Sequence, residues 1–209
     1  RSYEEDEDSD GNADYRYKNT YDSKGRLTSS TDEYDTDYDG KMDEKRTENY
    51  DSKGRLTSST DEYDNNNDGI MDDKTTTSYD AKGNVTGSVT ETDDNYDGKV
   101  DKKSTYTVDS KGNEVVITEY DEDYDGKVDL KSTANYDSEG KLTNVKDEKD
   151  NNKEGKFDQT IHYTYDTEGE LRDIKNEKDT NFDGKIDEWH NVGYDANGDQ
   201  NYQYTEEDR

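Results

Sequence analysis

The feature that most constrains the fold is an internal period of about 29 residues that runs through the whole sequence. The motif YDSKG at 21–25 returns at 50–54, and variants begin at 79, 108, 136, 165 and 194, with successive spacings of 29, 29, 29, 28, 29 and 29 residues. A nine-residue acidic stretch keeps the same period. Such a chain folds as stacked copies of one supersecondary unit. We therefore expect a single repeat array over residues 1–209.

The composition argues against a conventional hydrophobic core. Only 22% of the residues are hydrophobic, and 58 acidic residues against 28 basic ones give a formal net charge of −30. This combination is typical of disorder unless something other than apolar burial orders the chain. The sequence has no cysteine, so disulfides do not supply that order. The acidic excess argues against nucleic acid and anionic membranes and favours cations as partners.

Each repeat contains segments with the alternation of a β-strand. The segments KVDLKSTANY at 127–136 and KFDQTIHYTY at 156–165 place apolar or small side chains at every second position. The segments after the YDxxG motif, such as RLTSSTDEY at 26–34, are more polar. In YDxxG itself, the aspartate can bond the local backbone and the glycine can adopt the left-handed conformation that closes a short hairpin. We predict an all-β fold, an elongated tandem array of antiparallel β-hairpins with an acidic loop at one turn of each repeat.

The acidic loops follow the rule D-x-[DN]-x-[DE]-G-x-φ-D, where φ is apolar, and seven copies begin at 6, 35, 64, 93, 121, 150 and 179. Oxygen ligands at positions 1, 3, 5 and 9, a carbonyl ligand at position 7 and a glycine for the sharp turn at position 6 suit a hard cation. Oxygen donors without histidine or cysteine favour Ca²⁺ over zinc or copper, and Mg²⁺ is the weaker candidate. We expect the apolar residue at position 8 to point toward the sheet.

The candidate metal ligands come from these five positions of each loop. In chain order they are Asp6, Asp8, Asp10, Asn12 and Asp14; Asp35, Asp37, Asp39, Lys41 and Asp43; Asp64, Asn66, Asp68, Ile70 and Asp72; Asp93, Asn95, Asp97, Lys99 and Asp101; Asp121, Asp123, Asp125, Lys127 and Asp129; Asp150, Asn152, Glu154, Lys156 and Asp158; and Asp179, Asn181, Asp183, Lys185 and Asp187.

Because of the charge on the loops, we expect metal binding and folding to be coupled in a single equilibrium. Positions 1, 3, 5 and 9 of the loops carry 24 carboxylates, and seven divalent ions would change the formal charge from −30 to −16. Without a cation, three or four carboxylates within a few ångströms repel one another strongly. The alternative reading is a set of solvated acidic turns. Loop 6 places Glu154 at position 5 with Lys153 beside it, and we expect it to be the weakest site or an empty one.

The loops resemble known calcium loops. Their nine positions resemble the first nine of the EF-hand loop, and the short form is similar to the loops of integrin-type propellers and thrombospondin type 3 repeats. The bidentate glutamate expected at position 12 of an EF-hand is absent, since that position holds Tyr17, Arg46, Thr75, Ser104, Ser132, Ile161 and His190. The YDxxGxLT half resembles the YD repeats of Rhs and teneurin shells, and this resemblance implies hairpin repeats.

A glutamate stands two residues before every loop and has two possible roles. It could supply a further metal ligand, directly or through water, or it could form a cross-strand ion pair with Lys45, Lys74, Lys103 or Lys131 in a symmetric hairpin. We favour the ion pair. The glutamates are Glu4, Glu33, Glu62, Glu91, Glu119, Glu148 and Glu177.

No constellation points to a reaction, and we do not expect an enzyme. His162 and His190 lie on different repeats and have no cysteine partner, so we interpret them as sheet-surface residues. Trp189 and the tyrosines fit packing better than a sugar-binding platform. Threonine is frequent but does not form a strict ladder in the sequence.

The sequence therefore predicts an extracellular or cell-surface calcium-binding protein, a calcium-stiffened stalk or fibre segment. Extracellular calcium would fill even weak sites of this kind. The alternatives are an adhesin that binds a carbohydrate, mineral or ice surface, and a calcium-responsive folding switch or buffer. Asp208 stands where an eighth loop would begin, and both ends fall inside a repeat. We expect a longer repeat chain or further copies of this chain as partners.

Overall fold

The computed structural model describes residues 1–207, so Asp208, the predicted start of an eighth loop, lies outside the described residues. The fold is all-β, as predicted, with fifteen strands in the described part of the chain. Neighbouring strands form antiparallel hairpins in tandem. The chain divides into two units, Arg1–Val100 and Asp101–Arg209, and each is described by itself. Within residues 1–207, no helix has the length and apolarity needed to cross a bilayer.

Unit 1 is a meander in which every strand pairs with the one before it in the chain. Its strands are β1 (Ser2–Glu5), β2 (Tyr15–Tyr21), β3 (Leu27–Tyr34), β4 (Glu44–Tyr50), β5 (Leu56–Tyr63), β6 (Asp73–Tyr79) and β7 (Val85–Thr92). Unit 2 continues the same pattern. Its strands are β8 (Lys102–Val108), β9 (Glu114–Tyr120), β10 (Leu130–Tyr136), β11 (Leu142–Lys149), β12 (Gln159–Tyr165), β13 (Leu171–Lys178), β14 (Glu188–Tyr194) and β15 (Gln200–Glu207).

The YDxxG motif forms the tight end of each hairpin, as the sequence predicts. Asp22 N–H donates to the carbonyl of Arg26 at 2.9 Å, and Gly25 N–H donates to the carbonyl of Asp22 at 3.0 Å. Gly25 has φ +77, so a residue without a Cβ is favoured there. The Asp22 carboxylate accepts from the N–H groups of Lys24 and Arg26 at 2.8 and 3.0 Å. The turn is therefore fixed by contacts within its own five residues.

Neither unit has an apolar core among the described residues. No hydrophobic side chain is buried there, and almost all of the buried side chains are aspartates of the acidic loops. Each unit is a single layer of strands, so both faces of the sheet lack a covering layer. The buried part of the molecule is therefore its acidic loop end, which directs attention to the aspartates.

Candidate metal centre

The aspartates that open and close the acidic loops are the most buried side chains of the described chain. Their exposed fractions lie between 1% and 7%. At position 1 these are Asp35, Asp64, Asp93, Asp121, Asp150 and Asp179, and at position 9 they are Asp14, Asp43, Asp72, Asp101, Asp129 and Asp158. Burying an ionised carboxylate is costly unless it is hydrogen-bonded and paired with a positive charge. The loop end therefore concentrates negative charge where water cannot fully solvate it.

The position 1 aspartate holds the loop around itself. In loop 2, Asp35 accepts from Gly40 N–H at 2.7 Å and from Asp39 N–H at 3.3 Å. The glycine bond recurs in all seven loops at 2.5 to 3.0 Å. In loop 2, the side chain of Asp37 accepts from Asp39 N–H at 3.1 Å, and the side chain of Asp39 accepts from Lys41 N–H at 2.8 Å. These bonds bring the carboxylates of positions 1, 3 and 5 together.

The position 9 aspartate closes the loop and leaves one oxygen without a partner. Asp43 Oδ2 accepts from the N–H and hydroxyl of Thr36, both at 2.6 Å, and from Asp37 N–H at 3.3 Å. Asp43 Oδ1 is buried and has no hydrogen-bond partner. A buried carboxylate oxygen needs a donor or a cation. The loop thus presents an oxygen that fits a bound cation.

Three loops gather three carboxylates whose candidate ligand atoms lie within 4.8 Å of one another. They are the three loops with aspartate at position 3, since the other four carry asparagine there. The groups are Asp6, Asp8 and Asp10; Asp35, Asp37 and Asp39; and Asp121, Asp123 and Asp129. An all-oxygen donor set of this kind fits Ca²⁺ and does not suit metals that prefer nitrogen or sulfur.

The pKa of the loop carboxylates follows the local balance of burial and charge. Burial, followed by the negative charge of Asp64, raises the pKa of Asp72 above its ordinary value. At position 5 of loop 5, a side-chain hydrogen bond from Lys127 lowers the pKa of Asp125. Lys127 Nζ lies 2.7 Å from Asp125. The carboxylate group of loop 5 contains Asp129 and not Asp125.

Loop 6, which the sequence predicts to be a weak site, differs from the other loops in the hydrogen bonding of its position 5 residue. Lys156 N–H donates to Asp150 at 3.0 Å, and no such bond to the longer side chain of Glu154 is seen within this loop. Lys153 reaches back to loop 5, where its Nζ lies 3.5 Å from Asp123 and 3.3 Å from Asp129. An ammonium group therefore lies against the carboxylates at which loop 5 would hold a cation. No pattern in the sequence predicts this contact.

Position 4 is a second feature that sequence reasoning missed. Its residues adopt the left-handed conformation with φ between 60 and 65 although none is glycine, and they are Ser9, Tyr38, Asn67, Tyr96, Tyr124, Lys153 and Phe182. This conformation is unfavourable for side chains of that size. Some of these side chains contact the preceding loop: the Tyr38 hydroxyl donates to Glu7 at 3.2 Å, and Asn67 donates to Asp37 at 2.5 Å.

Backbone hydrogen bonds also join neighbouring loops. Asp35 N–H donates to the carbonyl of Asp14 at 2.8 Å, and Asp64 N–H donates to the carbonyl of Asp43 at 2.7 Å. The same bond links positions 1 and 9 of successive loops within unit 2. Loop 4 is divided between the units, so it is described only for residues 93–100, and Asp101 belongs to unit 2. Within each unit, the loops form a hydrogen-bonded column.

The glutamates before the loops form ion pairs on the sheet, as we favoured. Lys45 lies 3.9 Å from Glu33 and 3.8 Å from Glu62. Lys74 lies 3.6 Å from Glu62, and Lys131 lies 2.7 Å from Glu119. Glu4 approaches Arg16 at 3.9 Å, and Glu148 and Glu177 pair with lysines two residues away on their own strands. These ion pairs engage Glu4, Glu33, Glu62, Glu119, Glu148 and Glu177 on the sheet.

The expectation for position 8 is wrong in two copies. Val100 and Phe157 are 48% and 38% exposed, whereas Met42, Met71, Val128 and Ile186 are half-buried. A single-layer sheet offers little apolar surface at its edge, so these side chains have nothing to pack under. His190 lies on the sheet surface as expected, with its Nδ1 at 3.0 Å from the Thr205 hydroxyl.

No family model matches the sequence, and no curated protein matches it. Among solved structures, TcdB2-TccC3 is 17% identical with a TM-score of 0.35, over 91% of this chain and 10% of that one. A porin-like protein from Bacteroides uniformis is 14% identical with a TM-score of 0.23, over 95% and 91% of the two chains. A protein of unknown function from Bacteroides fragilis is 11% identical with a TM-score of 0.21, over 68% and 86%.

The chain spans about a tenth of the length of the TcdB2-TccC3 chain. At these TM-scores, the alignments do not place the chain in a family. The resemblance to YD repeats therefore stays a prediction, while the tandem hairpins are a property of the fold itself.

Proposed function

We propose that this chain is a calcium-binding structural repeat protein that works outside the cell as a calcium-stiffened stalk or fibre segment. The observation that carries the proposal is the buried, unpartnered oxygen of Asp43 in the same loop as the gathered carboxylates of Asp35, Asp37 and Asp39. A cation at that point would satisfy the orphan oxygen and remove the repulsion among the other three. The same loop recurs at every repeat, so the ions would be spaced along the sheet edge.

The direct test is calorimetric titration of the metal-free chain with calcium, with magnesium titrated in parallel. We expect calcium to bind at several sites and magnesium to bind more weakly, because Mg²⁺ demands a tighter octahedron and keeps its waters. An absence of heat and of spectral change on adding millimolar calcium would end the proposal. Tighter binding of magnesium than of calcium would mean that the loops are metal sites but that Mg²⁺ is their metal.

The stalk role is supported by the linked loop column. Neighbouring loops share backbone hydrogen bonds, so an ion that rigidifies one loop also stiffens its neighbour. Small-angle scattering of the calcium-loaded chain tests the elongation that a stalk requires. A compact domain of this length would have a radius of gyration of about 17 Å, and we expect a clearly larger value. A value near the compact one would favour a folding switch or buffer.

A second candidate function is adhesion, which one observation favours. Thr31, Thr47, Thr60 and Thr76 lie directly opposite one another on four neighbouring strands of unit 1. All four are half-buried, and the hydroxyls of Thr60 and Thr76 lie 3.2 Å apart. Such a row presents hydroxyl and methyl groups at the strand spacing of about 4.8 Å. Thr47→Lys would abolish binding to a glycan, mineral or ice surface if this row is the contact.

A further inference from the structure

One face of unit 2 carries a row of apolar side chains that no other described element of that unit covers. Residues directly opposite one another on the seven strands β8–β14 form this row. They are Tyr106, Val116, Ala134, Val145, Tyr163, Ile174 and Val192, and all are half-buried. We call the side of β8–β14 that bears this row the apolar face.

The corresponding row of unit 1 is polar. In the same place in the repeat, it carries Asn19, Ser30, Glu48, Ser59, Thr77 and Ser88. The apolar row is therefore a property of unit 2 and not of the repeat. An exposed apolar strip in a chain with a net charge of −30 is an interaction surface, because monomeric proteins rarely leave such patches open.

The charge on the apolar face differs from that of the whole chain. In register with the row, the face carries three lysines and three acidic residues over β8–β14. They are Lys102, Lys149 and Lys178, and Glu114, Asp147 and Glu188. A face without net charge can meet a copy of itself without repulsion, although the chain as a whole would repel one.

The size of the face matches that of a stable interface. Seven strands of about seven residues cover roughly 750 Å² at the usual strand spacing and rise. Protein interfaces of standard size bury about 800 Å² on each partner. Two sheets packed face to face also keep their strands nearly aligned, as in β-sandwiches.

We infer that the apolar face of unit 2 is a dimer interface, on which a second copy of this chain packs with a two-fold axis running along β11. This axis places β8 of one copy over β14 of the other. Along the row, Ala134 then meets Tyr163 of the second copy, and Val145 meets its own counterpart. Large and small side chains alternate across the interface, as close packing requires.

The same axis pairs opposite charges at the two ends of the face, while on β11 Asp147 and Lys149 each lie opposite their own counterparts, with the opposite charge two residues along the strand. Lys102 on β8 meets Glu188 on β14 of the second copy, and the pair occurs twice. Within one chain these residues lie six strands apart, or about 29 Å, which is too far for direct contact. An interaction between them therefore reports on the second copy. Lys102 is already extended over the face, with its Nζ 5.4 Å from the centre of the Tyr120 ring.

The dimer does not depend on which cation the loops hold, so its test can fail separately from the calcium proposal. The mass of the 209-residue chain is measured by sedimentation equilibrium at rising concentration, in calcium and in chelator, with circular dichroism of each sample. We expect a monomer–dimer equilibrium in every condition in which the β spectrum is present. A chain that stays monomeric in calcium overturns the inference. Open-ended growth in mass overturns it too, because that is the behaviour of pairing at strand edges.

Two neighbouring residues of β9 give a matched pair of variants. Val116 lies on the apolar face, whereas Ile117 points to the other side and pairs with Thr105 and Thr133. Val116→Lys should raise the dimer dissociation constant at least about tenfold because it places a charge at the centre of the interface. Ile117→Lys should leave the constant unchanged, and equal effects of the two variants would refute the inference.

Charge exchange provides the final test. Lys102→Glu should weaken the dimer, and Lys102→Glu combined with Glu188→Lys should restore it. Recovery in the double variant supports the two-fold arrangement, since the residues cannot meet within one chain. If the double variant is as weak as the single one, the proposed axis is wrong.

Discussion

Strand β4 lies between two aspartates, Asp43 of an acidic loop and Asp51 of a YDxxG turn, and the protein satisfies the two carboxylates to different extents. At the YDxxG end, Asp51 accepts from the N–H groups of Lys53 and Arg55 at 2.7 and 3.1 Å and from the Arg55 side chain at 2.7 Å. At the loop end, Asp43 is more deeply buried, and one of its oxygens has no partner. The YDxxG end is complete as a structure of protein alone. The loop end is not, since protein donors leave Asp43 Oδ1 without a partner.

The comparison assigns the metal dependence that we propose for the fold to the loop end and not to the YDxxG end. Turns closed by local backbone bonds and an arginine do not require an ion. The cation that we propose would stabilise the loops, because burying an ionised carboxylate is costly unless a positive charge lies beside it. The YDxxG end therefore serves as an internal control for the loop end.

The largest expected effect is that of calcium removal on the whole chain. We expect chelator to abolish most of the β signal in circular dichroism and added calcium to restore it, because only 22% of the residues are hydrophobic and burial alone cannot offset chain entropy. Hydrogen exchange at a limiting chelator concentration should show loss of protection at the loop-end amides before those of the YDxxG turns. Identical spectra in excess chelator and in calcium would contradict this.

The next largest effect should come from a variant that changes one acidic loop and leaves the YDxxG turns intact. Asp43→Asn retains an oxygen for the Thr36 bonds but replaces the unpartnered oxygen with an amide that repels a cation. We expect calcium affinity at loop 2 to fall at least about tenfold, since charge count tunes such sites. Titration calorimetry of the variant should show one strong site fewer.

Asp51→Asn is the matched control for Asp43→Asn. It removes one carboxylate charge from a neighbouring turn of the same unit, where Arg55 already balances that charge. We expect the number of calcium sites to be unchanged in this variant. A similar loss of sites in both variants would mean that the effect follows net charge and not the loop geometry.

A smaller effect should come from the lysine that lies over loop 5. Lys153→Met removes the ammonium group next to Asp123 and Asp129, so we expect calcium to bind loop 5 a few-fold more tightly. The readout is a chemical-shift titration of Gly126, whose N–H donates to Asp121. Lys53→Met, at a YDxxG turn, removes the same charge far from any loop and should leave the Gly126 titration unchanged. Tightening in both variants would point to a general charge effect.

The features predicted from the sequence are those that a few adjacent residues determine. The 29-residue period gave the hairpins, and the spacing of Asp22 and Gly25 gave the turn. The loop ligands were found because they lie within nine residues of one another. The contact of Lys153 with Asp129 spans 24 residues and depends on how successive loops stack, so no local pattern reveals it.

The apolar row of unit 2 was not predicted from the sequence, for the same reason. Val145 and Tyr163 meet across a strand pair, and only the register shows that seven such residues align. The threonine row of unit 1 is a similar case, since its members are not evenly spaced along the sequence. Exposure of Phe157 was also unpredicted, because the sequence does not show that the sheet edge offers no cover.

The smallest expected effect concerns the acid titration of the YDxxG end. Hydrogen bonds from Arg55 lower the pKa of Asp51 to about 2, and the unperturbed value is 3.8. A lowered folded-state pKa contributes stability above the unfolded value and loses it as the pH falls from about 4 to about 2. The Asp51 carbon signal in NMR should therefore titrate near pH 2 in the wild type. Arg55→Gln should move that midpoint upward, while Asp80, which pairs with Asn84 and not with arginine, should be unaffected by the variant. A wild-type Asp51 that titrates near pH 4 would show that the arginine contact does not form in solution. The protein alone would then not neutralise the aspartate of this turn.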